Sequence, residues 1–251
     1  MSTGSIYKKF QVSINYSLIR IFIKKAPFKK AKSILLIAPH PDDEILGMGG
    51  MLLHSIKQGS KVHIVYFTDG EGSCIWPDKE EIRLQRIALS ERVCKNIGVD
   101  PLAITRLHLP DGAVPHQGQN GFVEAVNSIK QLIEKLKPDA VFATHPLDYW
   151  PFDHVACAHI AKEAVNKSKH KTQLWYYWVW AWYNIRPWQL LKISYRKLQK
   201  IDISEQMPKK KTLMEVYLKA ATPDGKPWSG LLPKALLKAF EYPVEIIERI
   251  I

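Results

Sequence analysis

Four times between Ser33 and Asn166 the chain repeats one pattern: a short, mostly apolar run, a cluster of acids or histidines, then a longer amphipathic stretch. The apolar runs are Ser33-Ile-Leu-Leu-Ile-Ala38, Lys61-Val-His-Ile-Val-Tyr-Phe67, Leu102 to Leu109 and Ala140-Val-Phe-Ala143. Runs of that length and composition suit parallel strands covered on both faces. Ile45 to Lys57, Lys79 to Ile97 with Gly98 as its stop, Phe122 to Leu136, and the stretch from Asp153-His154 to Asn166 suit helices. Strand and helix in alternation predict an α/β fold, a mostly parallel sheet between two helical layers. Sites in such sheets lie beyond the carboxyl ends of the strands. The polar clusters His40-Pro-Asp-Asp-Glu44, Asp69-Gly-Glu71, Asp111 and His145 to His154 each follow a strand, so the topology can gather all four at one edge.

The charge sharpens this. With 36 Lys+Arg against 24 Asp+Glu the 251-residue chain carries +12, which raises nucleic acid or a membrane surface as partners. The excess is not uniform: residues 1-33 hold eight bases and no acid, residues 162-211 twelve bases and three acids, and residues 34-161 eleven bases against sixteen acids. An acidic centre between basic flanks suits a cation site. A nucleic-acid partner is not expected, since no binding motif accompanies the charge. Cys74, Cys94 and Cys157 are odd in number and far apart, which excludes a disulfide framework and a cysteine zinc site and fits a reducing compartment. The segment Val12 to Ile23 is broken by Asn15 and Arg20 and reads neither as a signal peptide nor as a transmembrane span. Residues 1-32 are read as a basic extension that either packs on the domain or lies on an anionic membrane.

Ala38-Pro-His-Pro-Asp-Asp-Glu44 places one imidazole and three carboxylates at the end of a buried strand. Acids at the positive end of a helix would explain the carboxylates alone, but not His40. A histidine and a carboxylate three positions apart on a turn can face one cation, with Asp42 between them free to reach a water. Catalytic zinc takes three protein ligands of N and O type and keeps a position open. Asp153-His154, opening the helix after the fourth strand, can supply the third; the competing reading makes Asp153 an N-cap and His154 a surface residue.

The stretch Ala38 to Glu44 resembles the A-x-H-P-D-D-E signature of the LmbE/PIG-L-like zinc deacetylases. Thr68-Asp-Gly-Glu71, Arg86, Leu109-Pro-Asp-Gly112 and Asp153-His154 extend the likeness over residues 33 to 166. The resemblance implies a Rossmann-like three-layer sandwich over a single domain, 33-251. It further implies a hydrolase that removes an N-acetyl group from an N-acetylglucosamine-type sugar on a glycoconjugate or lipid-linked glycan. It assigns His40, Asp43 and His154 as ligands of Zn2+, with Fe2+ or another divalent metal as alternatives, and Asp42 as general base. Asp153 would orient a neighbouring histidine, and Asp69, Glu71, Arg86 and Asp111 would contact the sugar or support the site. The expected location is cytoplasmic, peripheral to the inner membrane face.

The chain departs from the family at one place. A histidine is expected three residues before the last ligand, and Asp148-Tyr-Trp-Pro-Phe-Asp-His154 puts Pro151 there, or Trp150 if one residue is inserted. His145 and Asp148 are the nearest titratable substitutes, and His145 or a second metal-bound water is taken as the replacement acid. A catalytically impaired metal- and glycan-binding relative is the alternative function. In the basic, aromatic-rich part 167-251, Leu174 to Tyr183 reads as one strand with Trp178, Trp180 and Trp182 on a shared face, either core or a wall for sugar rings or lipid. Lys209-Lys-Lys211 and Pro223 to Pro227 read as exposed loops, and Leu231 to Phe240 as a helix.

Overall fold

The structure is a computed structural model that describes residues 3-25, 31-190 and 197-251. In chain order its elements are α1 (Thr3–Phe22), β1 (Ser33–Ala38), α2 (Asp43–Lys57), β2 (Lys61–Thr68), α3 (Lys79–Ile97), β3 (Ile104–Leu109), α4 (Phe122–Leu136), β4 (Ala140–Thr144) and α5 (Phe152–Lys167). The chain continues through β5 (Gln173–Tyr177), α6 (Ala181–Asn184), α7 (Pro187–Leu190), β6 (Leu198–Asp202), α8 (Met207–Lys219), α9 (Lys234–Ala239) and β7 (Val244–Arg249). A 3-10 turn, Pro101–Ala103, takes the start of the run expected to be all strand, because Asp100 caps the amide of Leu102 and delays β3 to Ile104.

Among the described residues seven strands form one sheet in the order β3-β2-β1-β4-β5-β7-β6. β1 to β5 are mutually parallel, as the alternation predicts, and β7 and β6 extend the sheet antiparallel. Side chains alternate across β1: Ile34, Leu36 and Ala38 join the cluster made with α2, α3 and α8, while Leu35 and Ile37 join the one made with α4 and α5. Both clusters are buried, which is the three-layer sandwich in physical terms. Helix α2 lies so close to the sheet that a Cβ on Gly47 would run into the Tyr177 ring, whose hydroxyl donates to Ile37 O. That contact fixes the start of α2, and the acids on it, over the end of β1.

Two readings of the C-terminal part are corrected. The aromatic strand stops at Tyr177: the amides of Val179 and Ala181 leave the ladder and donate instead to the Asp148 carboxylate. Trp178 and Trp182 then pack into the core, at 1% and 2% exposure, and Trp178, Trp180 and Trp182 form no sugar-binding wall. Lys209-Lys-Lys211 is no loop; it lies in α8, with Lys210 buried against Glu245 at 2.7 Å. Local composition reads as solvated because the partner is distant in sequence.

The N-terminal segment forms helix α1, whose Val12 and Ile19 are buried, as is Ile23 just beyond its end. Its Gln11 and Asn15 amides donate to the carbonyl of Ile185, at the end of α6.

Candidate metal centre

The turn from β1 into α2 is where the site begins. Asp42 adopts a left-handed backbone, φ 118°, rare for a residue with a side chain. Its amide donates to Glu44 Oε2 at 2.8 Å, and Arg86 donates to Pro41 O and, at 3.4 Å, to Asp42 Oδ2. Gly70, with φ 76°, is needed beside this arginine: any Cβ there would collide with Arg86 Nε. The kink turns Asp42 and Asp43 in different directions from one short segment.

Asp43 is the meeting point. Its Oδ2 accepts the His40 amide at 3.0 Å, and His40 Nδ1 and His154 Nε2 each lie 3.3 Å from it. Ligand atoms of His40, Asp43 and His154 all fall within 4.8 Å of one another, and all three residues are buried. Behind them stand carboxylates that fix the rings. His154 Nδ1 meets Asp148 Oδ2 at 3.1 Å, and His40 Nε2 lies 3.1 Å from both Asp111 Oδ1 and Asp153 Oδ2. Asp153 is itself held by the amides of Gly112 and Val114, and Asp111 by the amide of Gly72. Each imidazole thus sets its outer nitrogen against a carboxylate and its inner one against Asp43, so that loss of the inner proton would leave a lone pair directed at a cation held there.

One atom tests the fit to a cation. His154 Nε2 is fully buried and makes no hydrogen bond among the described residues, despite its closeness to Asp43. Buried polar atoms are almost always satisfied; protonated, this nitrogen has only the ion pair with Asp43, and deprotonated it would offer its lone pair to a cation between Asp43 and His40. The N, O, N donor set suits zinc and also iron.

In the ligand-free cluster the carboxylates favour charged imidazoles. Burial opposes charge on His154, but Asp43 and Asp148 outweigh it and raise its pKa to about 9. His40 is raised as well, its desolvation overcome by Asp111, Asp153 and Asp43. Burial likewise works against the Asp43 carboxylate, which His154 and His40 nevertheless hold below the usual range. Asp42 goes the other way: burial lifts it to about 6, with Arg86 restraining the rise. Burial also lifts Glu44, to about 7, against the hydrogen bond from Tyr217.

The remaining expected site residues divide. Asp111 joins the cluster, and Glu71 supports it by accepting the Asp111 amide at 2.8 Å. Asp69 is spent on Arg83, Arg106 and His108, the last at 2.6 Å. Arg86 is buried against Asp42 rather than presented to a ligand. His145 is a correction: Nε2 is bound to Glu248 at 2.6 Å and Nδ1 accepts the Leu147 amide at 2.9 Å, so neither nitrogen is free to serve as the replacement acid. The residue whose role sequence reasoning missed is Asp148, fully buried and shared by His154, Val179 and Ala181. The signal was a lone acid six residues before His154, which the motif does not interpret.

Comparison with known proteins follows the same lines. The diacetylchitobiose deacetylase of Thermococcus kodakarensis is 29% identical over 148 residues, 56% of this chain and 51% of the relative, so the match spans about half of that protein's length. Among solved structures, the N,N'-diacetylchitobiose deacetylase from Pyrococcus horikoshii superposes with a TM-score of 0.62 at 22% identity, covering 89% of this chain and 82% of that one. The 4-carboxy-2-hydroxymuconate hydratase GalB from Pseudomonas putida superposes with 0.64 at 14% identity, over 88% and 96%. At these identities the structural likeness speaks for the fold, which serves more than one chemistry. The family described as PIG-L, GlcNAc-PI de-N-acetylase, matches residues 35–165, just over half of the chain and the stretch that supplies every side chain of the cluster, and the chain belongs to that family.

Proposed function

We propose that this protein is a metal-dependent N-deacetylase that hydrolyses the acetamide of an N-acetylglucosamine-type sugar carried on a glycoconjugate or lipid-linked glycan. His40, Asp43 and His154 hold the metal, zinc in the first instance. The unpartnered, buried Nε2 of His154 facing Asp43 and His40 is the observation that carries the reading. Family membership and the deacetylase relatives support the substrate class.

The chemistry a bound divalent cation supplies here is Lewis acidity, which polarises an amide carbonyl and makes water a better nucleophile at neutral pH. Asp42 takes a proton from the attacking water at its carboxylate, whose basicity burial raises above that of an ordinary aspartate. Arg86 keeps that carboxylate in place through Pro41 and Asp42. Asp153 and Asp111 hold the His40 ring, and Asp148 the His154 ring.

A second reading has its own observation. Pro151 or Trp150 stands where an imidazole is expected, and His145 is committed to Glu248. This favours a catalytically impaired relative that binds metal and glycan. Metal analysis of the purified protein and acetate release from a panel of N-acetylglucosaminyl compounds separate the two. Acetate release that a chelator stops and metal restores is the expected result. Sugar binding by the metal-loaded protein with no acetate from any compound would overturn the deacetylase and select the second reading.

A further inference from the structure

Exposed apolar side chains gather on two linked parts of the surface. On α1, Ile6, Phe10 and Ile21 are 57%, 65% and 67% exposed, and at 100° per residue they fall within an arc of about 60°. Opposite them Val12, Ile19 and Ile23 are buried, so this is the helix's outer face. Beside the metal cluster, Trp150 and Phe152 are 57% and 61% exposed and meet edge to face, and on α7 Trp188 is half exposed under the Arg186 guanidinium. The elements that bear them are tied to each other through the inner side of α1. Lys8 Nζ and Gln11 Nε2 donate to Tyr183 O on α6, Tyr149 Oη donates to Asn184 O, and Asn184 Nδ2 donates to Trp150 O.

Patches of this kind on a single chain mark a surface meant to be covered. The charge around them identifies the cover. Residues 1-33 contain eight bases and no acid, α6 and α7 contain no acid, and the two acids of the 148-154 turn, Asp148 and Asp153, are buried. A second copy of the chain would bring like charges together across this face. An anionic bilayer meets both requirements, accepting Ile, Phe and Trp at the acyl boundary and Lys and Arg at the headgroups.

We propose that the outer face of α1, where Ile6, Phe10 and Ile21 are flanked by Lys9 and Arg20, is a docking surface for an anionic lipid bilayer. Its use in presenting a lipid-borne acetamido sugar rests on the deacetylase reading; the docking itself does not.

The test is co-sedimentation of the full chain with phosphatidylglycerol-containing vesicles and with pure phosphatidylcholine vesicles. Binding is expected to the anionic vesicles at low salt, weakening as salt rises. The double variant Phe10→Glu, Ile21→Glu, both positions exposed and outside the metal cluster, is expected to bind roughly tenfold more weakly or worse. Lys9→Glu with Arg20→Glu supplies a second variant and is expected to lose the salt-sensitive part. Absence of binding at low salt, equal binding by parent and variants, or a dimer in light scattering that the same substitutions dissolve would overturn the proposal. Vesicle binding without acetate release leaves the surface standing and sinks the deacetylase; acetate release without vesicle binding does the reverse.

Discussion

Two imidazoles with their outer nitrogens tied back to carboxylates leave little freedom at the centre, and of the residues that hold them Asp148 is wholly buried. Its two oxygens serve His154 Nδ1 and the amides of Val179 and Ala181, all without solvent. An asparagine offers one acceptor oxygen and sets an NH2 against those donors. Asp148→Asn is therefore expected to weaken metal binding by about tenfold to a hundredfold, measured by competition with a chelator, while circular dichroism shows the fold retained. Proton traffic gives a second expectation. In the metal-free protein His154 titrates near 9 and His40 is raised too, so at neutral pH both rings carry protons that a metal must displace. Metal binding is expected to release about two protons near pH 7 and to tighten as pH rises toward about 9, read by calorimetry in buffers of different ionisation enthalpy. Stability of the metal-free protein runs opposite: the His154 contribution is full below its unfolded value near 6.5 and is lost as pH rises through about 9. At this scale the sequence was informative where residues are contiguous. His40, Asp42 and Asp43 could be read from one turn; the tie of Arg86 to Asp42, 44 positions apart, and of His145 to Glu248, 103 apart, could not.

Elements β1 to β5 and the helices between them were legible because burial on both faces of a parallel strand leaves a continuous apolar run. The sheet's other end was not legible, and the reason is particular. From Trp178 onward the alternation of tryptophans mimics a strand, but the Asp148 carboxylate draws the Val179 and Ala181 amides out of the ladder and starts α6. In α8, Lys210 donates to Leu46 O and to Glu245 Oε1, while Glu245 accepts the amides of Gly50 and Met51. This buried pair ties α8 and β7 to α2, the helix that begins with Asp43. Removing one partner strands the other charge, so Lys210→Ala is expected to cost about 3–5 kcal/mol. That corresponds to a fall in melting temperature on the order of 10 °C, checked by calorimetry. Lys209→Ala and Lys211→Ala, one exposed residue on either side, are expected to change little.

Over the whole molecule, charge is divided between two roles, since the acidic central block holds the candidate cation site and the basic N-terminal flank is also a structural member. Contacts of α1 with Tyr183 and Ile185 span more than 170 residues, so composition could report its charge but not its docking. The helix reaches the site through α6, whose Asn184 holds Tyr149 and Trp150 just ahead of Asp153 and His154. Deleting residues 1-25 uncovers the core that receives Val12, Ile19 and Ile23, each worth about 1.5–3 kcal/mol when fully buried. It also leaves the Ile185 carbonyl without its two side-chain donors. Part of that loss is offset because twenty helical residues need no longer be ordered, so a net cost of a few kcal/mol is expected, seen as a lower melting temperature. A removable extension would leave the melting temperature and metal affinity of the truncated protein equal to those of the full chain. A structural helix instead lowers the first and, through the loosened 149-152 turn, weakens the second, because His154 then loses part of the support that holds its ring toward Asp43.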